Sequence, residues 1–436
     1  MVSRGTVGPS VVLLLLALVP AVAPCADGDR PLQTLAVSAV GADQGVFVVA
    51  EDGAVLAAVN PDRPVHPASV TKIATTLALL RELGPEHRFE TSFRAGGALR
   101  DGVIDGNLVV AGGRDPFLVY EGAFLVLLEL HRLGIRRVAG RVDVHGPLLF
   151  NWSADAAGRR LQQALAGQTG PAGQPGGNGG AAAWAAVQGV RDDARRLQLK
   201  DIALGFGGRS GSAPAEGPVL VVHQSPPLLR IVKELNGYSN NIFHLLSDQI
   251  GGATAVERIA RQSVGPELHP QIVITNAAGG GKTNRLSPRA AVAIIRALDA
   301  ELRRHGLSLA DVMPVAGIDR GTLEDRLTAP LHRGAVVAKT GTYGSLGACA
   351  LAGTARTRRF GTVTFAVLDR GLPVPEARRR QDAFLEALLD LAGAEPSRYE
   401  PPVTAAFTAA RIERRPAGAA AEAAAGAGAA APGDGE

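Results

Sequence analysis

The sequence predicts an α+β fold: an antiparallel sheet flanked by helices and assembled from both ends of the chain, with a small α/β domain inserted after the first long helix. Three observations carry this expectation. Two β-rich runs come early and three come late. Helical patterns separate them, and between residues 91 and 218 the pattern changes to short β-type runs around a helix. Apolar residues make up 46% of the 436 and charged residues only 20%, so the chain can bury large cores and is not a disordered or acidic solvating protein.

The elements follow in order. Residues 1–26 read as an export signal: Arg4 supplies the positive flank, 11–19 an apolar run, and Ala23-Pro24-Cys25-Ala26 a small-residue exit. That run is too short to span a bilayer comfortably, so no stable transmembrane anchor is expected and the protein is placed in the periplasm or cell envelope. Runs 45–50 and 54–59 flank Glu51-Asp52-Gly53, a hairpin signal. Pro67 opens a helix whose body is 69–82, and Gly84-Pro85 closes it. Short β-type runs at 107–111 and 141–144 enclose a helix near 124–133. The Gly-rich stretch 166–183 reads as a flexible loop. Residues 219–222 form a strand, Ser225-Pro226 caps a helix to Leu235, and a second helix is expected from Tyr238. Ser287-Pro288 opens another helix through Leu302, stopped by Gly306. Strands at 335–340, 346–353 and 361–368 precede an amphipathic helix at 376–391. The expected organisation is a main domain from 27–90 and 219–395, an inserted domain from 91–218, and a C-terminal extension from 396–436 that is disordered from about 415.

Composition removes several classes of function. The net charge is +4, without a Lys/Arg run of five, so no nucleic-acid partner is expected. Two cysteines and nine scattered histidines offer neither a disulfide framework nor metal-ligand spacing, and no metal or other cofactor is expected. Gly279-Gly280-Gly281-Lys282-Thr283 is a poor phosphate loop, because no clear helix follows Thr283 before Ser287-Pro288. Among 45 basic residues only five are lysines: Lys72, Lys200, Lys233, Lys282 and Lys339. Arginine keeps its proton, whereas a desolvated lysine can lose it.

Three short motifs carry possible chemistry. Ser69-Val70-Thr71-Lys72 puts a hydroxyl and an amine on one helical face, where the amine can take the hydroxyl proton. The lysine pKa must then fall by roughly three units, about 4 kcal/mol, which an apolar pocket and a second lysine would supply. Tyr238-Ser239-Asn240-Asn241 offers a hydroxyl to relay a proton and an amide to hold a peptide backbone. Lys339-Thr340-Gly341, at the end of a β-rich run, offers a second positive charge, a hydroxyl for a carboxylate, and a bare backbone against which a peptide can lie. Each also has a plain reading: a surface lysine, a helix N-cap and a strand terminus.

In this order the motifs resemble those of the serine penicillin-recognising enzymes, and most closely the class C low-molecular-mass penicillin-binding proteins, the D-alanyl-D-alanine carboxypeptidase/endopeptidase family. Pro67-Ala68-Ser69, Ala111-Gly112-Gly113-Arg114-Asp115-Pro116, Ser225-Pro226-Pro227-Leu228, Asn284-Arg285-Leu286-Ser287-Pro288 and Pro314-Val315-Ala316-Gly317 extend the resemblance over most of 45–390. It implies a serine β-lactamase/transpeptidase-like fold, peptidoglycan stem peptides as substrates and β-lactam antibiotics as covalent inhibitors. It also implies roles: Ser69 as the acylated nucleophile, Lys72 as its base, Ser239 as proton shuttle, Asn241 on the peptide, and Lys339 with Thr340 on the terminal carboxylate. The backbone N–H groups of Ser69 and Thr342 would form the oxyanion hole, where one donor is worth about 3–4 kcal/mol of barrier.

The chain departs from the family where Asn276-Ala277-Ala278-Gly279 replaces a usual Asp-Gly-Ser-Gly, losing a carboxylate and a hydroxyl near the cleft. Arg320 stands as an extra residue, and the turn after Gly341 is longer than usual. Two alternatives therefore stand beside the hydrolase: a catalytically impaired relative that only binds wall peptides, and a β-lactamase-like hydrolase of small amides or esters.

Overall fold

The computed structural model describes residues 30–170, 179–208, 217–402 and 405–415. The expected export signal and the tail after 415 lie outside these residues, as does 171–178 of the Gly-rich stretch. Among the described residues, no helix is long and apolar enough to cross a membrane.

The early hairpin forms, with β1 (Gly45–Val49) antiparallel to β2 (Val55–Val59). A single 3-10 turn, Ala68–Val70, then leads into α1 (Thr71–Leu83). Strands β3 (Glu90–Arg100) and β4 (Val103–Ala111) come next, followed by α2 (Tyr120–Arg132). After the insertion come β5 (Val219–Gln224), α3 (Leu228–Gly237) and α4 (Pro288–Arg304). The chain closes with β6 (Val336–Tyr343), β7 (Ala348–Thr357), β8 (Gly361–Asp369), α5 (Val374–Ala392) and β9 (Arg411–Arg414).

The main sheet has the order β6-β7-β8-β1-β2 and is antiparallel throughout, so β1 from the start of the chain pairs with β8 near its end. This is the assembly from both ends that the order of β-rich runs predicts. Alternate side chains of β1 point to opposite faces. Val46 and Val48 pack with Phe365, Val367 and the α5 residues Phe384, Leu385 and Leu388. Phe47 and Val49 belong to the larger core that holds Leu77 of α1 and Ile294 and Leu298 of α4. With both faces covered, β1 is buried along its whole length. Residues 71–80 of α1 are all buried, so this helix passes through the core rather than over it.

A second sheet runs β9-β5-β3-β4 and continues through Arg137–Val138 and Gly205–Phe206, with Val142–His145 parallel to β4. Two expected boundaries change here. The strand at 219–224 pairs with β3, in the sheet of the insertion rather than the main sheet. Residues 411–414 of the extension form β9 on the other side of it. An apolar run announces a strand but not its partner, and both pairings are remote in sequence. The Gly-rich stretch ends earlier than expected, since Gly180–Val190 is a helix anchored by Ala183, Trp184 and Val187. An unexpected helix at Arg30–Leu35, continued by Ala36–Val40, packs Leu32, Ala36 and Val40 into the α5 face.

Candidate active site

Ser69 lies in the 3-10 turn just ahead of α1, behind Ala68, whose φ of 47° is left-handed. Such a backbone persists only where its surroundings hold it. Two neighbours do so. Gly341 of β6 lies so close that a Cβ there would stand 2.6 Å from the Pro67 carbonyl oxygen and 3.1 Å from the Ser69 nitrogen. Gly279, with φ of 80°, lies closer still, since its Cβ would come within 2.0 Å of the Ala68 carbonyl oxygen. Only glycine fits at either place.

One helical turn on, Lys72 is completely buried. Its Nζ lies 2.7 Å from Ser69 Oγ, 2.6 Å from the Ala278 carbonyl oxygen and 3.3 Å from Asn241 Oδ1. The two carbonyl-type oxygens can only accept, so they take two amine hydrogens. A neutral amine then turns its lone pair to the Ser69 hydroxyl. Burial drives this amine from 10.5 down to about 7, a difference of about 5 kcal/mol between its charged and neutral forms. Roughly half of it is therefore uncharged at neutral pH.

The helix expected near Tyr238 starts later, at Phe243. α3 ends at Gly237, and Ser239 takes a left-handed φ of 55° in a turn that precedes the short helix Phe243–Ser247. Asn240 makes the turn: its N–H donates to Leu235 O at 2.9 Å, and its side-chain oxygen accepts from Ile242 N at 2.9 Å. These bonds compete with the helix and win, as short amide side chains often do. The turn brings Ser239 Oγ to 2.9 Å from Lys339 Nζ and Asn241 to Lys72. Lys339 is fully buried and also donates to the Thr340 carbonyl. Desolvation holds its pKa well below 10.5, and the nearby Lys72 pushes it the same way.

Thr340 and Thr342 complete the wall. Residues 314–316 cover the outer edge of β6 through Ala338 N to Pro314 O and Ala316 N to Val336 O. By strand alternation the N–H groups of Thr340 and Thr342 face the same edge, beyond the end of that cover. Thr340 is buried and Thr342 is exposed, its hydroxyl accepting from Arg378 at 3.3 Å. The structure thus brings Ser69, Lys72 and Asn241 together and sets Ser239 on Lys339, with Thr340 and Thr342 following Lys339 along β6.

The D-Ala-D-Ala carboxypeptidase 3 (S13) family matches residues 33–149 and 186–390. The chain belongs to that family. The resemblance drawn from the motifs is therefore correct, and this S13 chain is a serine peptidase, a hydrolase. Carboxypeptidase Rv3627c of Mycobacterium tuberculosis is 27% identical over 366 residues, covering 75% of this chain and 76% of the relative. The penicillin G-acylated predatory endopeptidase Bd3459 of Bdellovibrio bacteriovorus, bound to its immunity protein, shares the fold. It has a TM-score of 0.65, 20% identity, and coverage of 85% of this chain and 99% of that one. Penicillin binding protein 4 of Haemophilus influenzae shares it too, at 0.58 and 19%, with coverage of 82% and 99%.

Several groups of this S13 chain are given no role by its motifs, although Asn276 and Asn284 stand in segments already quoted from the sequence. The carbonyls of Ala277 and Ala278 accept from Thr75 and Lys72, and a backbone atom leaves no mark on residue choice. Asn284 is fully buried and joins the 276–284 loop to α1, donating to Thr71 Oγ1 and Asn276 O while accepting from the N–H groups of Thr275 and Asn276. The Asn276 side-chain oxygen accepts from Ala278 N and Gly280 N, closing the turn whose Ala278 carbonyl binds Lys72.

Proposed function

We propose that the chain is an exported D-alanyl-D-alanine carboxypeptidase/endopeptidase that acts on peptidoglycan stem peptides through an acyl-enzyme on Ser69. One observation carries the reading: the 2.7 Å contact between Ser69 Oγ and a buried amine whose other partners are both acceptors. Neutral Lys72 takes the Ser69 proton as Oγ attacks the carbonyl carbon of the penultimate D-alanine. The N–H groups of Ser69 and Thr342 receive the developing oxyanion. Ser239, held by Lys339, gives its hydroxyl proton to the departing amine of the terminal D-alanine as the C–N bond breaks, and takes in its place the proton that Lys72 removed from Ser69. Asn241 holds the peptide backbone, while Thr340 and Thr342 receive the terminal carboxylate next to Lys339. The peptide lies along the free end of β6 as an added strand. Water then attacks the ester carbonyl carbon while neutral Lys72 takes its proton, and that proton returns to Oγ as the C–O bond to Ser69 breaks.

A β-lactam offers the same attack on a strained amide, so it too is expected to acylate Ser69. The test is incubation with fluorescent penicillin and peptide mass mapping, beside D-alanine release from a stem pentapeptide. Wild type is expected to carry one label, on Ser69, and to release D-alanine, while Ser69→Ala does neither. Label at another residue refutes the assignment, and label without D-alanine release favours a protein that only binds.

A further inference from the structure

His66 lies three residues before Ser69 and is buried, with 8% of its surface exposed. Its ring touches three walls of the cleft. The Ala68 N–H donates to Nδ1 at 3.2 Å. Nε2 lies 3.1 Å from the Gly281 carbonyl oxygen. The Tyr343 ring, at the end of β6, covers it with a centroid distance of 5.2 Å.

These partners fix the tautomer. A backbone N–H can only donate, so Nδ1 must present its lone pair; a carbonyl can only accept, so Nε2 must carry the hydrogen. The neutral Nε2–H form satisfies both, and the imidazolium does not. A proton on Nδ1 sets N–H against N–H at Ala68, the left-handed residue that presents Ser69. On its other side the ring holds the loop whose Ala278 carbonyl binds Lys72.

We propose that His66 is a positioning residue, which in its neutral tautomer locks the nucleophile turn to the glycine loop and so makes acylation of Ser69 depend on a second unprotonated group besides Lys72. The role rests on Ser69 being the nucleophile. The charges around the ring agree with it. Burial lowers the imidazole pKa from 6.5, outweighing the Gly281 bond, and the Arg285 charge acts in the same direction as burial. Of the other titratable neighbours, Tyr343 faces the ring from β6, and Lys282 of the loop is exposed.

The rate constant for acylation of the full chain by fluorescent penicillin, followed from about pH 9 to about pH 5, tests this. The logarithm of the wild-type rate is expected to fall with unit slope just below pH 7, where Lys72 charges, and to steepen toward a slope of two as His66 charges. His66→Gln keeps a donor for Gly281 but cannot titrate, so its slope stays at one. His66→Phe keeps the ring against Tyr343, loses both hydrogen bonds, and acylates on the order of tenfold more slowly at pH 8. A purely structural role would lower the plateau without changing the slope. A wild-type slope of one throughout, a slope of two retained in His66→Gln, or an unimpaired His66→Phe overturns the role alone. Absence of wild-type acylation overturns the Ser69 assignment and this role with it.

Discussion

Placing one methyl group on Gly341 tests whether β6 must touch the nucleophile turn. In Gly341→Ala the new carbon would stand 2.6 Å from the Pro67 carbonyl oxygen, against the 3.4 Å at which ordinary contact begins, so the strand and turn must part by about 0.8 Å. Both are backbone, and no flexible side chain can absorb the clash. A misplacement of about 1 Å between reacting groups costs on the order of 100-fold in rate, while overpacking costs about 1–3 kcal/mol of stability. Acylation by penicillin and D-alanine release should therefore both fall 30- to 100-fold, roughly in proportion, while thermal unfolding shifts by only a few degrees. Gly344→Ala, on the same hairpin, is the control: its methyl would meet only the Val374 side chain, at 3.9 Å, and both rates should stay near wild type. Gly341→Ala acylating within threefold of wild type would refute the claim that this contact sets the geometry of the cleft.

Three further substitutions have definite outcomes. Lys72→Met abolishes acylation yet stabilises the fold at pH 7 by about 1–3 kcal/mol in urea titrations, because it removes a buried amine. The folded amine titrates near 7 and the unfolded one near 10.5, so the unfolded chain binds more protons between them and wild-type stability rises with pH, closing the gap to the variant; a less stable Met variant at pH 7 contradicts this. Asn284→Ala strands five hydrogen-bond partners of a buried amide and should cost about 2–4 kcal/mol by chemical denaturation, with slower acylation as the loop leaves α1. Asp369 is buried against Gln381 Nε2 at 2.6 Å, and burial raises its carboxyl from 3.8 to about 7. The folded state thus binds the extra proton, and this group's contribution to stability is lost as pH rises from 3.8 through 7. Asp369→Asn should gain in unfolding midpoint over wild type across that window and level off above it, and a gain independent of pH argues against the assignment.

What could be read from the sequence depended on whether its cause was local. The spacing of Ser69 and Lys72 is a property of one helical turn, and it is the contact found. The order of the β-rich runs led to the main sheet because antiparallel strands from the two ends had few other ways to pair. The scarcity of lysine was informative as well, since Lys72 and Lys339 are both fully buried at the cleft. Reading failed where a distant partner decides. Val219–Gln224 looks like any core strand, and its place beside β3 depends on a segment more than a hundred residues earlier. Arg411–Arg414 has almost no apolar pattern, and pairing with β5 is what makes it a strand. Ser239 was expected near the start of a helix, and the turn found there depends on bonds from Asn240 to Leu235 and Ile242 that the Ser-x-Asn pattern does not announce. His66 and Asn284 act through backbone atoms of a loop whose path no short motif specifies.

The strand β9 changes what the insertion is. Because 411–414 hydrogen-bond to 219–224, which in turn pair with 90–94, the second sheet is sewn from three separated stretches of polypeptide and the last of them comes after the whole main domain. The insertion is therefore no cassette that can be excised or grafted between two cut points. Transplanting it into another scaffold would mean carrying the carboxy-terminal thread along, and clipping that thread would bare the rim of a sheet a long way from where the cut was made.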